Sequence, residues 1–474
     1  MKNPIAGMIR SPRFRGWSVV WVAFTVATFG FGIGFYGPAV FLETLHTTRG
    51  WPIAPISTAI TAHFLVGAAI VSYLPQVHRV AGIANTTIVG ALLSAIGILG
   101  WSSATAMWQL FLVAIFSGSG WAVTSGAAIN AMIAPWFDRD RPKALGCALN
   151  GASLGGVIFI PLLVWLIAHI GFQSAAIVVA VAMSIVVGIL AHMYLRHVPP
   201  DFAIAADGEP TMATNMSGAH VGRLSRRALM RTKEFASISA AFALALFAQV
   251  GVLAHLLARL SPELGASGAA AAVSVTTISA VAGRMLLGWL LGEHDRRHAA
   301  AANFLIQSVG VGLLCLSKTV PSLLVGCVFF GLGLGNAATL PALIAQMEFR
   351  PPDVTTVVAL VIAINQAIFA LSPAILGALR QGSANYTLSF AIACALQITA
   401  AFIILVGRTR PSNGPSTGTR CWHRSHYRTI RFTACRGKGA LLAKLRARTS
   451  QLAIDRHALG ITRDQLDAIA SGRW

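Results

Sequence analysis

Arg284 is a lone charge in an apolar run, Ala282-Gly283-Arg284-Met285. A guanidinium is permanently charged and planar, and its fork of donors matches the two oxygens of a carboxylate. Three neutral groups in other apolar runs could act beside it, namely the Tyr36 hydroxyl and the amides of Asn336 and Asn365, the last followed by Gln366. Two lone imidazoles, His63 and His255, have the chemistry of proton carriers. Each group also has a plain structural reading. An arginine can snorkel to an interface or bond helix carbonyls, amides can bridge helices, and a single histidine on an apolar helix commonly only packs. Asn130 and Asn150 lie near the ends of their runs and read as structural. Of the 15 carboxylates none lies deep in an apolar run, since Glu43, Glu263 and Glu348 are all close to run ends. No phosphate-binding Gly-x-x-x-x-Gly-Lys pattern, metal-ligand cluster or nucleophile–base pair occurs at usable spacing. No cofactor is expected, and a membrane enzyme is the least supported class.

The elements that must position these groups follow from composition. Only 11% of the 474 residues are charged and 55% are hydrophobic, with a mean hydropathy of +0.70. Soluble domains carry about a quarter charged residues, so a water-facing surface of this size could not be covered. The class is an integral membrane protein, all-α. A bilayer core of about 30 Å takes roughly 20 apolar helical residues. Twelve segments qualify: 17–42, 53–77, 83–101, 106–134, 144–169, 173–195, 235–259, 267–291, 299–317, 320–347, 355–379 and 385–406. The first is too long for a cleaved signal segment. The six cysteines lack metal-type spacing and read as free thiols.

Charge placement orients the spans. With residues 1–16 in the cytoplasm, and the tail left out, seventeen Lys and Arg fall on the inner side and four on the outer. Both termini are then cytoplasmic, in a multi-pass protein of the cell's inner (plasma) membrane. The polar stretch 197–234, rich in Pro, Gly and Arg, is a linker between the halves 17–196 and 235–406. A shift of 212 residues places Ala134-Pro135-Trp136-Phe137 on Gln346-Met347-Glu348-Phe349 and Pro161 on Pro373, as a six-plus-six repeat requires. The tail 407–474 holds 14 of the 36 Lys and Arg. Contact with anionic inner-leaflet lipid is the reading preferred for it, and no nucleic acid is expected as a partner.

Trp136-Phe137-Asp138-Arg139-Asp140-Arg141-Pro142-Lys143-Ala144-Leu145-Gly146 resembles the Tyr-Phe-x-Lys-Arg-Arg-x-Leu-Ala-x-Gly signature of the monocarboxylate-transporter branch of the major facilitator superfamily. That branch also includes bacterial oxalate/formate-type exchangers. Arg15-Gly16-Trp17 with Gly34-Phe35-Tyr36-Gly37 resembles its first span, and the likeness covers about residues 15–407. It implies two pseudo-symmetric six-helix halves and alternating access to a site between them. It also implies that Arg284 meets a substrate carboxylate and that the spans carrying Asn336 and Asn365 line the cavity. Loop charges at Arg79, Arg139, Arg141, Arg296 and Arg297 would act as gating contacts between the halves. Departures are plain: only Arg79 remains of the usual loop motif between spans two and three, its second-half copy is degraded, and Ala280 stands where the branch often has an Asp. The Gly-Pro pair of drug/proton antiporters falls on Phe159-Ile160.

The expectation is a secondary transporter of a small organic anion, such as a monocarboxylate. One intramembrane cation balances one negative charge, and Tyr36, Asn336 and Asn365 would add hydrogen bonds. His63 or His255 would carry a coupled proton, unless the protein exchanges anions or its substrate brings its own. The alternatives are a proton-linked exporter of hydrophobic compounds and a non-transporting membrane sensor or scaffold.

Overall fold

The chain is helical throughout the residues that the structure, a computed structural model, describes: 16–137, 140–196, 224–291, 295–337 and 339–407. The tail beyond Gly407, Arg139 and most of the linker lie outside them. The first crossing joins α1 (Gly16–Phe29), a π-helical stretch Gly30–Tyr36 and α2 (Gly37–Arg49). Then follow α3 (Ile53–Ser103), α4 (Met107–Thr124), α5 (Gly126–Ile133), α6 (Arg141–Ile170) and α7 (Phe172–Leu190). A short α8 (Arg226–Met230) closes the linker, capped by Ser225 and tied by the Leu224 amide to Asp353. The second half holds α9 (Lys233–Leu291), α10 (Arg296–Leu316), α11 (Val320–Leu334), α12 (Leu340–Glu348), α13 (Pro351–Phe369), α14 (Ser372–Ser383) and α15 (Thr387–Val406).

Two of these elements are too long for one crossing. At 1.5 Å per residue α3 would be about 75 Å and α9 about 90 Å, against about 30 Å of hydrocarbon. Each is divided by a glycine in the left-handed half of backbone space, Gly82 (φ 76°) and Gly265 (φ 69°), where an L side chain would be strained. Among the described residues nine segments are long and apolar enough to cross a membrane, and Val320–Leu334 is a shorter apolar helix. With the two glycine breaks these are consistent with twelve crossings. Large apolar side chains such as Trp108, Leu112 and Ile115 of α4 lie on the outside, as lipid contact requires.

The repeat extends to the backbone breaks. The expected span 106–134 is interrupted at Ser125 and the expected span 320–347 between α11 and α12, at positions the 212-residue shift brings together. The prolines differ: α6 runs unbroken through Pro161, whereas the chain breaks between α13 and α14 just before Pro373.

Successive crossings alternate direction, so one end of the molecule carries the Gly82 break and the other the Gly265 break. A continuous apolar core runs from Val19 and Trp136 in the first half to Leu256, Leu260, Leu323 and Phe390 in the second. The second half has a separate cluster toward the Gly82 end, with Phe235, Phe242, Phe304, Ile344 and Ile404. The halves therefore share a core at the Gly265 end and keep separate cores at the other. Cys147, Cys315, Cys327 and Cys394 are free thiols.

Candidate functional site

Arg284 lies on the second limb of α9, about five turns past the Gly265 break. Gly283 makes its position possible, because a Cβ there would collide with the Leu332 carbonyl. With α9 and α11 this close, Arg284 Nε donates to the Gly335 carbonyl (3.3 Å), just past the end of α11. Carbonyls at a helix C-terminus lack intrahelical donors and carry partial negative charge, which suits a guanidinium. Arg284 Nη1 donates to Asn150 Oδ1 (2.7 Å) on α6, in the other half. Arg284 is half-buried and Asn150 exposed.

Tyr36, at the end of the π-helical stretch, is 5% exposed and lies within electrostatic reach of Arg284. Its ring packs where a Cβ on Gly156 would approach to 3.0 Å, and the same glycine lets α6 meet Thr277 of α9. One turn earlier on α9, Ser274 Oγ donates to the Val157 carbonyl (3.4 Å). Tyr36, α6 and the second limb of α9 thus form one seam between the halves, with Arg284 and Asn150 at its Gly82 side.

Asn336 does not bond Arg284. It is 3% exposed, and its Nδ2 donates to Asn303 Oδ1 (2.8 Å) and the Leu332 carbonyl (3.1 Å). It therefore fixes the turn that presents Gly335, acting on Arg284 through the backbone. Asn365 of α13 is also 3% exposed, with its Oδ1 lacking a partner among the described residues.

Both histidines are hydrogen-bonded through both ring nitrogens. His63 Nε2 donates to the Gly34 carbonyl (2.9 Å) and Nδ1 accepts from Ser117 Oγ (2.9 Å), all within the first half. His255 Nε2 donates to the Pro373 carbonyl (3.0 Å), and Nδ1 accepts from the Tyr386 hydroxyl at 3.5 Å. Neither bonds a residue of the Arg284 seam.

The bonds that the described loop arginines make stay within one half. Arg297, 2% exposed, forms a bidentate pair with Glu348 (2.5 and 2.7 Å) and also donates to Ser237 Oγ and the Ile404 carbonyl. A buried guanidinium is costly unless every donor finds an acceptor. Here all the acceptors come from the second half, so Arg297 clamps that half instead of bridging to the other. Arg296 donates to the Leu343 carbonyl (3.5 Å) in the same half, and Arg141 to Asn130 Oδ1 (3.1 Å) within the first. Arg79 is exposed and makes no bond or ion pair among the described residues.

The links between halves come from residues the sequence left unmarked. Asn150, read as structural, holds Arg284. Nothing local marks it, since its role depends on α6 lying against the second limb of α9. At the Gly265 end the Ala374 amide donates to Thr61 Oγ1 (3.0 Å) and the Ala54 amide to Gln381 Oε1 (3.1 Å). Phe64 and Phe369 meet edge to face at 6.0 Å. A Cβ on Gly377 would lie 2.5 Å from Ser57 Oγ, so α14 closes on α3 there.

Residues 20–347 match the family model of the Major Facilitator Superfamily. Monocarboxylate transporter 13 of Rattus norvegicus is 25% identical over 403 residues, covering 82% of this chain and 88% of the relative. Monocarboxylate transporter 11 of Homo sapiens is 24% identical over 346 residues, covering 70% and 71%. Among solved structures, the nucleoside transporter NupG superposes with a TM-score of 0.64 at 13% identity, over 82% of this chain and 98% of that one. At that identity the likeness concerns the fold.

Proposed function

This chain belongs to the Major Facilitator Superfamily, and from that premise we propose that it carries a small organic monocarboxylate across the membrane at a site built on Arg284. The observation that carries the reading is where the guanidinium stands. It lies on the apolar second limb of α9, in the seam between the two halves, held on one side by Asn150 and on the other by Gly335. Intramembrane charges are costly and as a rule face a cavity or a partner. The exposure of Asn150 fits an aqueous vestibule on the Gly82 side. One guanidinium with neutral neighbours balances one negative charge. That two relatives bear the name monocarboxylate transporter supports the same substrate class.

Carboxylate bound between the halves is contacted by both, so its binding energy can drive them from one arrangement to the other. Tyr36 supplies a further polar group beside the guanidinium, and Asn336 holds the Gly335 carbonyl in place. Asn365 Oδ1 is a buried acceptor that could serve a protonated or hydroxylated substrate group. The Gly82 end faces the cytoplasm of the cell's plasma membrane, as the distribution of Lys and Arg indicates. Attraction of the basic tail, with 14 of the 36 Lys and Arg, to anionic lipid of the inner leaflet is part of the same proposal.

The test is uptake of labelled acetate, propionate, lactate and pyruvate by proteoliposomes, with Arg284→Gln alongside. Saturable uptake of at least one acid, lowered about a hundredfold or more in the variant, is expected from loss of a charge-assisted contact of about 3 kcal/mol. Uptake of none of the acids by folded, inserted protein rejects the reading and turns the search to hydrophobic or neutral substrates.

A further inference from the structure

Among the described residues no opposing charge stands beside Arg284. Its two protein acceptors, Asn150 Oδ1 and the Gly335 carbonyl oxygen, are neutral. From the elements packed around it, the titratable group within electrostatic reach is Tyr36, on the π-helical stretch. α6 contributes Asn150, the end of α11 contributes a backbone carbonyl, and position 280, one turn earlier on α9, is Ala. Asn150 Oδ1 sits 2.7 Å from Nη1, the distance and placement a carboxylate oxygen would take. The opposite atom of that amide, Nδ2, makes no bond among the described residues, and the side chain is exposed. The amide is therefore free to turn away. Its bond also crosses from the first half to the second, so whatever displaces it changes a contact between halves.

We propose that Asn150 is a specificity-determining residue that occupies the carboxylate position on Arg284 between loads and yields it to the substrate. This rests on the reading of Arg284 given above and deepens it. A neutral amide is a weak competitor: it stabilises the guanidinium through a dipole, and a carboxylate replaces it with a full charge. A fixed carboxylate in its place would be a strong competitor and would have to take up a proton before substrate could bind. With Asn150 the site takes the acid as its anion and binds no proton of its own. The substrate class is thus the ionised monocarboxylate, not the acid together with a site proton.

Three proteins are compared in the same vesicles: the unaltered chain, Asn150→Ala and Asn150→Asp. Each is first checked for monodispersity and thermal unfolding in detergent. The probe is the acid that the unaltered chain takes up best, in equilibrium exchange at equal pH on both sides. For the unaltered chain KM for the anion stays flat from pH 7.5 to 5.5. Removing the competitor in Asn150→Ala lowers KM, by about tenfold or more for one lost hydrogen bond to a charge. Asn150→Asp raises KM at pH 7.5 by about tenfold or more, and the defect shrinks as the pH falls and the new carboxyl is protonated. A merely structural asparagine would alter unfolding temperature but not the pH dependence of KM. If Asn150→Ala leaves KM unchanged or raises it, the assignment is overturned, and this holds even if the Asp variant fails to fold. An Asn150→Asp variant that folds and keeps the unaltered pH profile overturns it too. Carboxylate uptake that needs Arg284 yet ignores Asn150 leaves the proposed function standing and removes this inference alone. No carboxylate uptake by the unaltered chain overturns both.

Discussion

Arg284 and Arg297 both belong to the second half, but their surroundings are opposite in kind. Arg297 is buried, and the Glu348 carboxylate cancels its charge while Ser237 and the Ile404 carbonyl take remaining donors. Arg284 is half-buried and, among the described residues, meets two neutral acceptors, one of them from the other half of the molecule. A cation neutralised inside its own half is scaffold, because nothing is left for a ligand to balance. A cation held by neutral acceptors keeps its charge on offer. Being a loop charge or an intramembrane charge does not separate the two, since the loop residue is the more deeply buried one.

That contrast is sharpened most by breaking the Arg297 cluster. Glu348→Gln leaves a buried guanidinium without its counter-charge and should destabilise the protein by about 3–5 kcal/mol, read from thermal or denaturant unfolding in detergent. Replacing both partners by apolar residues, Arg297→Met with Glu348→Leu, should restore most of the loss while KM for substrate stays as it was. If Glu348→Gln changed KM and left stability alone, the gating role expected for Arg297 would stand and the scaffold reading would fall.

A smaller effect is expected at the opposite end of the interface between halves, where contacts are apolar or backbone-made. Gly377→Val puts side-chain atoms where Ser57 already stands. An overpacked contact costs about 1–3 kcal/mol, which shifts the balance between closed and parted ends roughly tenfold. A cysteine introduced at Ser57 should then react faster with a membrane-impermeant maleimide. Unchanged labelling would mean that the Gly265 end does not open in the transport cycle.

The smallest change is expected at His63, a polar group satisfied within one half as Arg297 is. His63→Gln retains one donor and one acceptor toward Gly34 and Ser117, so a loss of about 1 kcal/mol is expected. The pH profile of uptake should not move. A shifted profile would restore His63 as a proton carrier.

The all-helical membrane class and the repeat were readable from the chain, and the expected crossings are consistent with the fold, because each depends on local sequence. Hydrocarbon demands runs of about twenty apolar residues whatever their neighbours do, and the 212-residue repeat carried through to the paired interruptions at Ser125 and after Leu334. Arg284 was equally legible, since a charge in such a run is conspicuous without any structure. Asn150, Gly335 and the Thr61 and Gln381 contacts were not. Asn150 is 134 residues from its partner, and an asparagine near a helix end looks the same whether it faces solvent, lipid or an arginine. The five loop arginines read alike in sequence, yet only the fold turned Arg297 inward onto Glu348 and left Arg79 exposed. Hydropathy fixes which segments enter the membrane. Which faces of those segments meet is decided by close approach at small residues such as Gly156, Gly283 and Gly377, and that exists only once the helices have packed.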